Sequence, residues 1–217
     1  MFHNIYHPFG LLIAGPSQSG KTELVKKLIL NRNEFIVEPP EKIIFHYSEF
    51  QSSYDDLIRE GVEFIQGPPS ELPDGSKRVL LIIDDLLHET GNSRSMAELF
   101  TRGIHHRNTS VIYIIQNLFD RGSSQLRTIS LQASALIIMR SPRDSSQILP
   151  LARQVCPQDP NFIVDAYRQA TIEPHSYLYL DFQQKTHTQI RVRSNIFKEN
   201  NKPVKVYLSK KLSGLTS

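Results

Sequence analysis

Three short segments of the 217-residue chain carry residue types suited to phosphate chemistry. The first, Gly15-Pro16-Ser17-Gln18-Ser19-Gly20-Lys21-Thr22, fits G-x-x-x-x-G-K-[ST] in full. Its two glycines let the backbone wrap so that successive N–H groups point at phosphate oxygens. A helix opening near Gly20 adds its positive end to the same anion. Lys21 is placed to reach the β- and γ-phosphates, and Thr22 offers its hydroxyl to Mg²⁺. The plain alternative is a chance Gly-Ser turn with a surface lysine. The apolar run before the motif and the helical pattern after it weigh against that.

The second segment, Val79-Leu80-Leu81-Ile82-Ile83-Asp84-Asp85, is an apolar run ending in two acids. A buried strand of this kind delivers a carboxylate to a nucleotide. Asp84 is the candidate for holding Mg²⁺, through water, and Asp85 for orienting the attacking water as a base. ATPases commonly have a glutamate there, and Asp85 is shorter by one methylene. Two acids at a strand end can also cap the next helix. The third segment, Val111-Ile112-Tyr113-Ile114-Ile115-Gln116-Asn117, ends in an amide able to hydrogen-bond both γ-phosphate and water. Such a strand, inserted between the loop strand and the acid strand, marks the additional-strand branch of ATPases that couples hydrolysis to movement.

These segments need a scaffold that brings strand ends together. Apolar runs at Phe9–Ala14, Lys42–His46, Val79–Ile83, Val111–Ile115 and Ala135–Met139 alternate with helical patterns. That predicts an α/β protein with a mainly parallel sheet and helices on both faces, the architecture of a RecA-like P-loop NTPase. Leu24, Val25, Leu28 and Ile29 share one face of the helix after the phosphate loop, with Lys26, Lys27 and Arg32 turned to water. A helix over Ser95–His105 would point Met96, Leu99, Phe100 and Ile104 inward and Glu98, Arg102 and His105 outward. Residues 67–77 read as a loop. Asp144 could cap a helix running through Cys156, with Pro150 kinking or dividing it. A further helix near Pro160–Ala170 precedes two antiparallel strands, Ser176–Phe182 and Gln189–Arg193. The chain divides into an ATPase domain over 1–197 and a basic tail over 198–217 with little that packs.

Composition excludes several classes. A hydrophobic share of 39% with 22% charged residues is ordinary for a globular protein. No run approaches the ~18–20 apolar residues of a membrane span, and no basic residue precedes Phe9–Ala14 as a signal peptide requires. The single Cys156 allows neither an intramolecular disulfide nor a cysteine zinc site, which suits a reducing compartment. His105 and His106 diverge by about 100° on a helix and suit a phosphate backbone or a subunit interface better than a shared ion. The net charge of +3 conceals an asymmetry: residues 1–90 sum to −6 and residues 91–217 to +9. Such a split hints at a polyanion partner for one half.

The order of Gly15–Thr22, Ile82-Ile83-Asp84-Asp85, and residues 99–110 running into Gln116-Asn117-Leu118-Phe119 resembles the viral genome-packaging ATPases of the FtsK/HerA superfamily. Within it the chain looks most like the versions from Polinton elements, adintoviruses and virophages, with poxvirus packaging ATPases more distant. Ser141-Pro142-Arg143-Asp144, Leu151-Ala152-Arg153-Gln154 and Arg193-Ser194-Asn195-Ile196-Phe197 agree with it. The resemblance implies a homo-oligomeric ring that uses ATP and Mg²⁺ to thread double-stranded DNA into a preformed capsid. A capsid or portal-vertex protein would be its partner, with no membrane involved. It would act inside the host, in the nucleus or a virus factory, or with the virion. An arginine from the neighbouring subunit would complete each site; Arg107 matches best, then Arg102, then Arg143. Arg121 and Arg127, in a loop over residues 120–127, and Arg102 are candidates for DNA phosphates, contacts that carry no sequence information. Two other readings stay open: a small P-loop nucleotide kinase, and a nucleotide-dependent DNA-binding or capsid-assembly factor with little hydrolysis.

Overall fold

In a parallel sheet covered on both sides, every strand residue is buried whichever way it points, and the apolar runs of this chain behave so. The computed structural model describes residues 5–51, 54–84, 86, 98–104, 107–118, 124–143, 146–197 and 203–209, without the side chains of 101, 102 and 124–127. The strands among them are β1 (Ile5–Tyr6), β2 (Gly10–Ala14), β3 (Ile36–Val37), β4 (Lys42–Tyr47), β5 (Glu63–Gln66), β6 (Val79–Asp84), β7 (Thr109–Ile115), β8 (Ala135–Met139), β9 (Tyr177–Asp181), β10 (Val192–Ser194) and β11 (Lys205–Val206). The helices are α1 (Lys21–Leu30), α2 (Arg32–Phe35), α3 (Asp55–Arg59), α4 (Ser124–Gln132), α5 (Ile148–Val155) and α6 (Pro160–Ala170). Nine strands form one sheet in the order β11-β10-β9-β8-β2-β7-β6-β4-β5, and β1 pairs with β3. The six from β8 to β5 run parallel. β9, β10 and β11 extend the sheet antiparallel.

Successive side chains on a strand take opposite faces, which divides the core in two. Leu11, Ile13, Leu80, Ile82, Ile112 and Ile114 pack beneath Leu24, Val25, Leu28 and Ile29 of α1. Leu12, Leu81, Ile83, Val111, Tyr113 and Ile115 face Ile129 of α4, Ile148 and Leu151 of α5, and Ile163, Ala166 and Tyr167 of α6. Burying each such aliphatic side chain contributes about 1.5–3 kcal/mol. The two layers therefore hold the strand ends, and the loops that leave them, in fixed register. This is the fold of a P-loop NTPase.

The five apolar runs are five of the six parallel strands, and α6 falls at the expected place. Leu99, Phe100 and Ile104 are buried as expected, though Leu99–Gly103 is a π-helical turn. Met96, His105 and His106 lie outside the described residues. Four expectations are corrected. The loop expected over 120–127 gives way to α4 from Ser124, because nothing from Ser124 to Gln132 breaks a helix and Ile129 anchors it in the core. Pro150 neither kinks nor divides a helix, because it is the third residue of α5, where a missing N–H costs nothing. Thr188–Ile190 forms a 3₁₀ turn, not the start of a strand; the Arg191 side chain fastens it by donating to the carbonyls of Thr186 and Gln183, and the strand is Val192–Ser194. The basic C-terminal stretch does pack: Lys205 and Val206 pair with β10, and the buried Ser209 donates to Asp159 at 2.6 Å.

Candidate functional site

Register decides what stands beside the loop after β2. Ala14 is level with Ile115 of β7 and Ile138 of β8. Asp84, the last residue of β6, is level with Ile114. Gly15, Asp84 and Gln116 therefore emerge along one edge, the C-terminal edge, where open α/β sheets bind ligands. β7 stands between β2 and β6, as the order of the motifs predicts. Two strand spacings, roughly 10 Å, separate the loop strand from the acid strand. The loop and the first turn of α1 close that interval.

Packing dictates the loop's shape. A Cβ at Gly15 would lie 2.5 Å from the Cβ of Met139 and 3.0 Å from Ser19 Oγ, so only hydrogen fits there. The Gly15 amide donates to Ile115 at 3.2 Å, and the Ser19 amide donates to Pro16 at 3.2 Å, which folds residues 16–19 into a tight turn. Gly20 closes the loop in the left-handed region at φ +93°, and its carbonyl accepts the Leu24 amide at 2.9 Å to start α1. The Lys21 ammonium donates to the carbonyls of Gly15 at 2.7 Å and Pro16 at 2.9 Å, which holds a positive charge over the loop. Ser19 Oγ is buried with no hydrogen-bond partner among the described residues.

Beyond the loop, Thr22 Oγ1 donates to Asp84 Oδ2 at 3.4 Å. A hydroxyl has one proton and two lone pairs, so Thr22 can donate to Asp84 and still offer an oxygen to a cation. A hydroxyl and a carboxylate beside a phosphate cradle are the hard oxygen donors that Mg²⁺ takes. The orphaned Ser19 hydroxyl fits an anion that fills the loop. These residues fit MgATP. Asp84 is buried and also accepts from the Tyr54 hydroxyl at 3.2 Å.

Gln116 is exposed at the end of β7. With Gly15, Pro16, Ser141, Gln147 and Tyr167 it lines a small cavity of about 40 Å³. The Tyr167 hydroxyl donates to Met139 O at 3.1 Å and accepts from the Ser141 amide at 3.0 Å, which fixes the chain where it leaves β8. On the other side of the loop a cleft of about 720 Å³ opens beside Gly20, between Glu23 and Lys27 of α1 and His175, Asn195, Phe197 and Lys205. Its size is that of a small-molecule site. Lys26 of α1 pairs with Asp56 of α3; the hydrogen bond between them raises the lysine and lowers the carboxyl from their usual ranges.

The remaining predicted residues divide between this edge, the far end of the sheet and positions outside the described residues. Arg107 lies in the turn before β7, at the opposite end of the sheet, with Nη1 donating to Pro73 O at 3.2 Å. Arg102 belongs by its backbone to the π-helical turn and Arg127 to α4, and their side chains are not among those described. Asp85 and Arg121 lie outside the described residues. Arg143 is exposed just after β8, on the edge that carries the loop. Sequence reasoning missed Tyr54, Tyr167 and His175, none of which sits in a motif.

Neither a protein-family model nor a curated protein matches the chain. Solved structures do. The chain is similar to the genome-packaging NTPase B204 of Sulfolobus turreted icosahedral virus 2 in complex with AMPPCP, at 14% identity and TM-score 0.53, over 93% of this chain and 97% of that one. The B204 complex with ATP-gammaS gives 13% identity, TM-score 0.53 and the same shares. The cytoplasmic domain of the type VII secretion ATPase EccC from Thermomonospora curvata aligns at 14% identity and TM-score 0.50, over 91% of this chain and 25% of that one. At these identities the likeness is one of fold. No helix among the described residues is long and apolar enough to cross a membrane.

Proposed function

We propose that the chain is an ATPase that drives double-stranded DNA into a viral or virus-like capsid, working as a homo-oligomeric ring. The observation that carries the reading is the convergence of Lys21, Thr22, Asp84 and Gln116 on one sheet edge across an inserted strand. A fold shared over nearly the whole length of B204, a genome-packaging NTPase, supports the cargo. So does the +9 charge of residues 91–217.

In this reading the loop amides and the start of α1 hold the phosphates. Lys21 turns from the Gly15 and Pro16 carbonyls to the β- and γ-phosphates. Thr22 and Asp84 hold Mg²⁺, which when bound neutralises charge on the phosphate oxygens. Gln116, at the end of the central strand, donates its amide to the γ-phosphate and to water, and Asp85 orients that water. The cleft beside Gly20 has room for the base and ribose. A neighbour's Arg107 completes the site, and Arg102, Arg121 and Arg127 touch DNA phosphates. A capsid or portal-vertex protein seats the ring, in the host nucleus or virus factory.

The deciding experiment measures phosphate release with and without double-stranded DNA on a sample whose oligomeric state is determined alongside. DNA-stimulated release by an assembled ring is expected. Phosphoryl transfer to a nucleoside or nucleotide would make the chain a kinase. Nucleotide-dependent DNA binding with negligible release would make it an assembly factor.

A further inference from the structure

We propose that Tyr54 is a positioning residue for Asp84, setting how the carboxylate faces its metal ion. The proposal rests on the nucleotide-site reading above and assigns a role to a residue outside every motif.

Tyr54 is 1% exposed, and its hydroxyl reaches Asp84 Oδ2 at 3.2 Å. Thr22 Oγ1 donates to the same oxygen at 3.4 Å. Two donors on one oxygen of a buried carboxylate restrict its rotation about the bond to Cβ.

The Tyr54 ring is in turn held on several sides. Its centroid is 4.9 Å from that of Phe45 and 5.0 Å from that of Phe64, with the Phe64 ring stacked at 23°. Phe50 meets it edge-on at 5.4 Å. A phenylalanine would make the same ring contacts, so the hydroxyl is what the carboxylate gains from this position.

The elements agree. Tyr54 precedes α3, and α3 is joined to the phosphate-loop helix by the Asp56–Lys26 pair. Both hydroxyls that donate to Asp84 thus come from elements tied to each other, one on α1 and one beside α3. Partners behind a metal ligand of this kind typically govern metal affinity by about 10–100-fold.

The test titrates Mg²⁺ against binding of a fluorescent, non-hydrolysable ATP analogue to the full chain. Tyr54→Phe is expected to raise the Mg²⁺ midpoint about tenfold. Phe64→Leu loosens the same aromatic cluster without touching Asp84 and is expected to keep the parent midpoint. An unchanged midpoint in Tyr54→Phe overturns the proposal, as does an equal shift in Phe64→Leu, which would make the effect one of packing. If binding by the parent is indifferent to Mg²⁺, the site reading falls and the proposal with it.

Discussion

Thr22 and Asp84 lie 62 positions apart in the chain, and their side chains meet at 3.4 Å, hydroxyl to carboxylate. The contact spans β7, which separates the strands on which the two depend. It joins the phosphate loop to the acid strand at the point where a cation would have oxygen donors from both.

Removing the charge at that point is therefore expected to disable turnover without undoing the fold. Asp84→Asn keeps the shape and an oxygen that can accept from Thr22 and Tyr54, but it loses the anion. Steady-state phosphate release should fall on the order of 10²-fold or more, and excess EDTA should do the same to the parent. Release within tenfold of the parent in the variant would show that Asp84 does not hold the metal.

Gly15→Ala tests the loop's packing. The new methyl would stand 2.5 Å from the Met139 Cβ, an atom that every residue but glycine carries. Overpacking of this kind costs about 1–3 kcal/mol, and for a chain of this length that lowers Tm by roughly 2–12 °C. Adding Met139→Ala should restore little of the loss, whereas Met139→Gly should restore more. Thermal unfolding of the three variants decides it, and equal rescue by both would refute the contact.

Near neutral pH, two histidines link stability to pH. Burial lowers His7 below its usual value, against hydrogen bonds to Asn108 that raise it. Burial likewise lowers His46, whose Nδ1 is 2.8 Å from Gly67 O and donates to it. For both, the unfolded chain takes up the proton first as pH falls. Their contribution is complete above about pH 6.5 and is lost as pH falls through the depressed folded values. Tm is expected to hold between pH 7 and 8 and to decline below about 6.5, and His46→Gln should flatten that decline. A Tm that rises on acidification through this window would contradict the assignment.

The phosphate loop was legible because its requirements are local: a hydrogen at Gly15, a positive φ at Gly20, and a lysine one residue on. The central place of β7 was legible because the order of three motifs implies it. Tyr54 and His175 were not, since each meets its partner through tertiary packing: Tyr54 reaches a carboxylate 30 residues away, and His175 sits over Gly20. β5 was hidden by its brevity and by Glu63 and Gln66, which face water at the sheet edge. α4 was hidden because its first residues continue a Gly-Ser turn sequence.

Arg107 gives the sharpest test of assembly. It is exposed in the turn that enters β7, and its backbone amide donates to Gly103 at 3.0 Å. Gln116 leaves the other end of that strand, which is seven residues and roughly 20 Å long. An arginine there cannot serve its own phosphate loop, so any catalytic role must be played in a neighbour's site. In an assembled ring Arg107→Ala is expected to lower phosphate release about 10³-fold or more, with nucleotide affinity of the isolated chain unchanged. Lys21→Ala should be equally inactive, for want of phosphate contact in its own site. Mixed in one ring, the two dead variants should recover activity, because a Lys21→Ala subunit offers an intact Arg107 to a neighbour with an intact loop. Phosphate release that stays at the level of either variant alone, in rings shown to contain both, would remove Arg107 from the site and leave Arg143, which stands on the loop's own edge, as the arginine to examine.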